Sequence, residues 1–179
     1  ASKQWFDLWA KEAGALNEIV GLKYFNVFGP NEYHKEDMQS MVRKGFLQVR
    51  DAGALKLFKS YKSGYSDGGQ ERDFLYVRDA VAMTLFFLEH REIGGIFNVG
   101  SGKARNWNDL ASAIFQVMNK KADINYIEMP ESIRDQYQYH TCAKMEKIRS
   151  AGYTETITSL EEGILDYLKN YLIPDKHLH

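Results

Sequence analysis

Apolar positions along this chain fall into alternating helical and strand-like runs. Near the start, Trp5, Leu8 and Trp9 form a helical stripe that Lys11-Glu12-Ala13 closes and Gly14 stops. A nearly continuous apolar run follows from Ile19 to Phe28, halted by Gly29-Pro30. Its length and its β-branched and aromatic content predict one strand covered on both faces, as in a parallel sheet. Met38, Met41, Val42 and Leu47 predict a helix from Met38 to Val49, with Asp51-Ala52-Gly53 as its stop. Leu55 to Phe58 reads as a short strand, and the polar, glycine-bearing stretch from Lys59 to Glu71 as a loop. A strand from Arg72 to Val77 leads into a helix from Arg78 to Glu89. A buried-type strand at Ile96 to Val99 ends in the turn Gly100-Ser101-Gly102. Asn106 is placed to cap a helix from Trp107 to Met118. A strand from Ile124 to Met129 stops at Pro130, and helices near Lys144–Ser150 and Ser159–Tyr171 close the pattern. No internal repeat interrupts it. Strands alternating with helices predict an α/β protein with parallel strand pairs.

Composition narrows the functional classes. The 23 Lys plus Arg against 24 Asp plus Glu give a net charge of -1, which argues against a nucleic-acid binder or a polybasic membrane anchor. No stretch approaches the roughly 20 apolar residues of a membrane span. The one cysteine, Cys142, can form no internal disulfide, as expected of a reducing, cytoplasmic compartment. At 179 residues the length suits one domain. The opening Ala1-Ser2-Lys3, with no initiating Met and no leading strand, is instead what a piece of a longer protein would show.

Several short patterns carry candidate chemistry. Gly64-Tyr65-Ser66-Asp67-Gly68 matches the nucleophile elbow of serine hydrolases, but the elbow needs a hydrophobic strand before it and a helix after it. Here a polar stretch precedes and a strand follows, so a chance match is expected. Gly100-Ser101-Gly102 follows a strand as a dinucleotide loop does, yet Arg105 holds the third glycine position, and a plain turn is expected. His34, His90 and His140 are scattered, and His177 with His179 forms the one close pair, so no metal site is expected. Cys142 reads as a small buried residue. More informative is Gly29-Pro30-Asn31-Glu32-Tyr33-His34-Lys35, because ligands of open parallel sheets bind beyond the carboxyl ends of the strands. Asn26, polar within the apolar run, reads either as a ligand contact or as a buried amide satisfying loop backbone groups. Lys35 and Arg72 read either as site residues or as solvated surface charges.

Together these segments resemble the nucleotide-sugar epimerases of the extended short-chain dehydrogenase/reductase superfamily. The resemblance rests on Ala1-Ser2-Lys3 as the tail of a Tyr-x-x-x-Lys motif, on Gly21 to Pro30, on Arg72 to Asp79 and on Phe97 to Gly102. His34-Lys35 with Met38, Lys56-Leu57-Phe58 and Asp135 to Gln138 are similar to the branch that inverts C6 of ADP-heptose for lipopolysaccharide core. The resemblance implies removal of the C6 hydride onto bound NADP and its return to the opposite face. It implies an acid/base on each face, one of them Lys35, and Lys3 on the nicotinamide ribose beside the motif tyrosine. An amine that exchanges protons near neutrality needs desolvation or nearby cations, whereas Glu36 and Asp37 act in the opposite sense unless they point elsewhere.

Carried over residue by residue, Lys3, Val27 and Lys35 would touch the cofactor. Asn26, Asp37 and Lys44 would line the substrate pocket, although the family often has serine and histidine at the last two positions. Phe58, Lys59, Ser60 and Tyr61 would enclose the nucleotide-sugar. Arg72 and Tyr137 would bind its phosphates, Arg72 because a guanidinium grips phosphate oxygens at two points. The glycine-rich phosphate loop, the first half of the Rossmann sheet and the tyrosine are not in this sequence, and the Lys59–Glu71 loop is longer than the branch leads one to expect. The chain is therefore expected to be one fragment, 1–179, holding the C-terminal part of a Rossmann-type parallel sheet and a smaller α/β substrate-binding lobe. The expected partners are an ADP-sugar and further copies in a homo-oligomer, with no nucleic acid and no membrane. Another epimerase or dehydratase of the superfamily, and a non-catalytic nucleotide-sugar binding fragment, remain the alternatives.

Overall fold

The computed structural model describes residues 2–176; Ala1, His177 and His179 lie outside the described residues. In chain order the elements are α1 (Ser2–Glu12), β1 (Val20–Tyr24), β2 (Asn26–Phe28), α2 (Met41–Ala52), β3 (Leu55–Phe58), β4 (Glu71–Tyr76) and α3 (Val77–Glu89). They continue with β5 (Gly95–Val99), β6 (Ala104–Asn106), α4 (Trp107–Val117), β7 (Ile124–Ile127), α5 (Glu131–Arg134), α6 (Glu146–Ser150) and α7 (Leu160–Tyr167). The pairs β1–β5, β2–β4 and β3–β7 are parallel, so the α/β expectation holds.

Among the differences from the sequence reading, three have a clear local reason. The apolar run from Ile19 to Phe28 is two strands, not one. Phe25 N donates to Val99 O and Val27 N donates back to Phe25 O, so the chain leaves β5 at Phe25 and joins β4. Nor is β1 covered on both faces, since none of its residues is fully buried. The second helix starts at Met41, because Ser40 caps it by accepting from Arg43 N, and Met38 stays outside, 87% exposed. The turn after β5 leads into β6, which pairs antiparallel with β4 and makes that sheet mixed. Elsewhere the punctuation behaves as expected. Asn106 and Asp109 form a capping box on α4, Ser159 and Glu162 form another on α7, and Gly53 ends α2 with φ +73°.

β4 separates two cores, and its alternation decides which side chain enters which. Phe74 and Tyr76 pack with Phe28, Val49, Leu57, Ile114 and Ile164 in one cluster. Leu75 points the other way, into a cluster with Met83, Phe97, Val99 and Ile148. Each of these chains removed from water contributes about 1.5–3 kcal/mol, so a strand feeding both clusters is fixed in register. Tyr76 also donates to Asp166 (2.5 Å) and Arg78 donates to Tyr171 (2.8 Å), which ties α7 and the turn after it to the junction of β4 and α3.

Asp73, fully buried, has a structural task. Its carboxylate accepts from Ser101 N (2.6 Å), Ser101 Oγ (2.8 Å), Gly102 N (2.9 Å) and Ala143 N (2.9 Å). The Gly-Ser-Gly turn thus wraps an internal carboxylate. Gly100 has to be glycine for contact reasons, since a Cβ there would lie 2.4 Å from Ala143 Cβ. Asp73→Ala would leave three backbone N–H groups without their acceptor, at about 1–3 kcal/mol each where water cannot reach them. We expect urea denaturation to show a loss of at least about 3 kcal/mol; a midpoint at the wild-type position would show that the turn holds without the carboxylate.

Candidate functional site

Two cavities meet at one wall beyond the ends of β2 and β3. The first, about 400 Å³, is lined among others by Asn26, Val27, Lys35, Lys44, Met41 and Trp107. Gly29 makes its rim possible. It has φ +146°, and a Cβ there would sit 2.4 Å from Val77 Cγ1. The loop that follows is pinned by Glu32, which is buried and accepts from Ser40 Oγ at 2.6 Å and from Ser40 N. Lys35 lies in a 3-10 turn, Tyr33–Met38, interrupted by Glu36 at φ 45°, ψ -119°. Lys44 Nζ donates to the backbone carbonyl of Asp37 (2.5 Å) and so braces this turn against α2.

The second cavity, also about 400 Å³, is an apolar slot lined by Met41, Leu57, Phe58, Ile127, Trp107 and Tyr137, with Gln48 and Lys56 at its edge. Met41 and Trp107 belong to both cavities, so the two form one cleft. The dividing wall is a stack. The Arg72 guanidinium carbon lies 4.9 Å from the Tyr137 ring centroid and 5.9 Å from that of Trp107, and Trp107 Nε1 donates to Tyr137 Oη at 3.2 Å. Phe74 supports Trp107 edge-on at 5.0 Å, and Phe58 meets Tyr137 edge-on at 6.4 Å. Arg72 is only 9% exposed, and Nη1 donates to the Glu71 carbonyl (2.8 Å). Among the described residues it makes no ion pair. Arg72 is thus a buried guanidinium packed against aromatic rings, and it lines neither cavity itself.

The structure gathers some of the sequence candidates and leaves others apart. Asn26, Val27, Lys35 and Lys44 share the first cavity; Phe58 and Tyr137 share the second, and Arg72 lines neither but packs on the Tyr137 and Trp107 rings. Asn26 is exposed, so the buried-amide alternative is overturned: the chain turns from one sheet to the other at Phe25, and this sets the amide at the cleft. Arg72 is not the solvated charge of its alternative reading either. Lys3 is exposed on α1 and lines neither cavity, and Asp37 contributes its carbonyl to Lys44 rather than its side chain to the wall. Lys59, Ser60 and Tyr61 stand at the outer edge. Lys59 Nζ donates to Glu128 (2.6 Å), which raises the amine's pKa, and Tyr61 Oη donates to the same carboxylate. Ser60 N donates to Asp67 Oδ1 (2.7 Å). Arg134 lies over the Tyr61 ring at 3.8 Å.

Met41, Trp107, Ile127 and Glu128 escaped the sequence reading. The available signal was an indole at the first position of α4. Ser66 lies in a loop, not between a strand and a helix, so the elbow match lacks its context. Burial raises the pKa of the Cys142 thiol, which suits an inert thiol better than a nucleophile.

Residues 1–100 match the model of the NAD dependent epimerase/dehydratase family. The chain belongs to this family. Its matched part carries Asn26, Val27, Lys35, Lys44, Phe58 and Arg72, whereas Trp107, Ile127 and Tyr137 lie beyond it. The chain is 49% identical over 171 residues to an ADP-L-glycero-D-manno-heptose-6-epimerase of Nitratidesulfovibrio vulgaris (strain DP4), covering 96% of this chain and 53% of that protein. The crystal structure of the Helicobacter pylori enzyme of the same name matches with TM-score 0.76 and 32% identity, over 94% of this chain and 49% of that one. A UDP-glucuronic acid 4-epimerase from Bacillus cereus, solved with UDP-glucuronic acid and NAD, matches with TM-score 0.65 and 25% identity, over 86% of this chain and 46% of that one. This member of the family therefore spans about half the length of the relatives it matches, and its α/β fold is Rossmann-like.

Within the site, Glu36 has a backbone conformation that glycine adopts freely and glutamate does not. Glu36→Gly should leave stability unchanged or raise it by about 1 kcal/mol, the released strain exceeding the added chain entropy. A thermal melt showing clear destabilisation would mean that the glutamate side chain holds the Lys35 turn in place.

Proposed function

We propose that this chain is the substrate-binding portion of an NADP-dependent ADP-heptose 6-epimerase, an isomerase acting on a nucleotide-sugar. The observation that carries the reading is Arg72, buried without an acidic partner among the described residues and packed against Trp107 and Tyr137, which line the cleft. A diphosphate-linked sugar has the shape this cleft calls for. Its base enters the apolar slot between Phe58, Ile127 and Met41, its diphosphate meets Arg72 and Tyr137, and its sugar reaches Asn26, Lys44 and Lys35. Lys59, Ser60, Tyr61 and Asp37 border that path from outside the walls.

The residues present fit the nicotinamide end of a cofactor, because Val27 offers an apolar surface in the same cavity as the Lys35 amine. Val27 and Lys35 would contact the group there. When bound, it would accept and return the hydride at C6. The chain's own residues would do the rest: Arg72 and Tyr137 anchor the diphosphate, Asn26 and Lys44 orient the sugar, and Lys35 holds or moves the proton of the C6 oxygen on one face. The parent protein would act in the cytoplasm as a homo-oligomer, in making the heptose precursor of lipopolysaccharide core.

Replacing a charged hydrogen-bond donor changes binding by about 1.5–3 kcal/mol. Arg72→Gln in the full-length protein should therefore weaken ADP-sugar binding about 10- to 100-fold in a calorimetric titration, and a UDP-sugar should bind more weakly than the ADP-sugar to the wild type. Preference for the UDP-sugar would move the reading to another epimerase of the family. Lys35→Met should lower epimerisation by about 10²–10⁴-fold with only a modest change in binding. The measurement is turnover of each C6 epimer separately; near wild-type rates on both would remove Lys35 from the chemistry.

A further inference from the structure

The hydrogen bond between Trp107 and Tyr137 has a fixed direction. An indole Nε1 can only donate, so at 3.2 Å Tyr137 Oη is the acceptor. The other polar group against the Tyr137 ring is the Arg72 guanidinium, at 4.9 Å, and it too has donors only. Neither neighbour can take the phenolic proton, and no acceptor for it exists among the described residues. Tyr137 is only partly buried, so its proton is open to water or to a ligand in the cleft, and a ligand that takes it must bring lone pairs. Arg72, with its remaining N–H groups unmatched by any carboxylate, makes the same demand from the same wall.

We infer that Trp107 is a positioning residue, which sets Tyr137 as a hydrogen-bond donor toward the anion that Arg72 faces. The inference rests on the nucleotide-sugar reading and adds to it the residue that gives the wall its polarity. A diphosphate suits such a wall because its oxygens are acceptors throughout. Trp107 is held for the task by its own supports. It is the first residue of α4, behind the Asn106–Asp109 capping box, and its ring is braced edge-on by Phe74 at 5.0 Å. It also forms part of both cavities, so a ligand lying through the cleft passes along the indole.

The test uses the full-length protein, with ADP and adenosine as probes in separate titrations. Trp107→Phe keeps an aromatic ring against Phe74 and Arg72 but removes the N–H. It should weaken ADP by about three- to tenfold more than adenosine, the value of one hydrogen bond, because adenosine shares the contact with the ring but has no diphosphate. Tyr137→Phe should do the same, and the double variant should be no worse than Tyr137→Phe alone, since the indole acts through the phenol. Wild-type ADP affinity in Trp107→Phe, equal losses for both probes, or losses that add in the double variant would each overturn the inference. If Trp107→Phe cannot be purified folded, Tyr137→Phe with unaltered ADP affinity overturns it equally well. A wild-type protein that binds no ADP would instead overturn the nucleotide-sugar reading, and the inference with it.

Discussion

Strand β4 has to satisfy two cores and a cleft with six residues. Phe74 and Tyr76 face one cluster and Leu75 the other, so the strand cannot slide by one position without exchanging both sets. That constraint reaches the polar end of the strand as well. Arg72 shares the side of Phe74 and is delivered to the wall of the cleft; Asp73 shares the side of Leu75 and is delivered to the Gly-Ser-Gly turn. One register therefore places a buried cation and a buried anion in adjacent positions, back to back on opposite sides of the strand. Because hydrophobic burial sets that register, the cation needs no carboxylate to keep it in place.

The cleft inherits its division of labour from the elements beside β4. β2, paired on one edge, brings Asn26 and Val27 to the first cavity; β6, on the other edge, runs directly into α4 and brings Trp107 to the wall. β3 and β7 form a separate parallel pair, and their ends supply Phe58 and Ile127 to the apolar slot. The polar and apolar halves of the site thus sit on different sheets, joined through Met41 and Trp107. At the outer edge Glu128 holds Lys59 and Tyr61, keeping the charge of the long loop away from the apolar slot.

Much of this was legible in the residues, and the failures have physical causes. Element types followed from apolar periodicity and from Gly, Pro, Ser and Asn punctuation, because these act locally. The break at Phe25 was invisible since both halves of the run are equally apolar, and only their different partners separate them. β6, at three residues, is too short for any period to show, and its existence depends on β4 lying alongside. Asn26 and Arg72 stood out as polar residues in or beside apolar runs and Lys35 as part of the loop after Gly29-Pro30, and the family resemblance added Tyr137. Trp107, Met41 and Ile127 did not stand out, because an apolar residue lining a cleft looks the same in sequence as one filling a core. What separates them is the empty space beside them, which only packing creates.

The carboxylate inside the Gly-Ser-Gly turn also bears on what that turn can never do. Successive backbone N–H groups in such a turn form a concavity that attracts anions, and in a dinucleotide-binding loop the guest is a phosphate. Here the guest is covalently part of the host. Asp73 is presented by a strand locked in two cores, so its effective concentration at those donors far exceeds that of any dissolved phosphate. A glycine turn that reads in sequence like a vacant phosphate cradle is thereby a closed joint. Its anion-binding capacity is consumed intramolecularly, in fastening β5 and the Ala143 segment to the strand that carries Arg72.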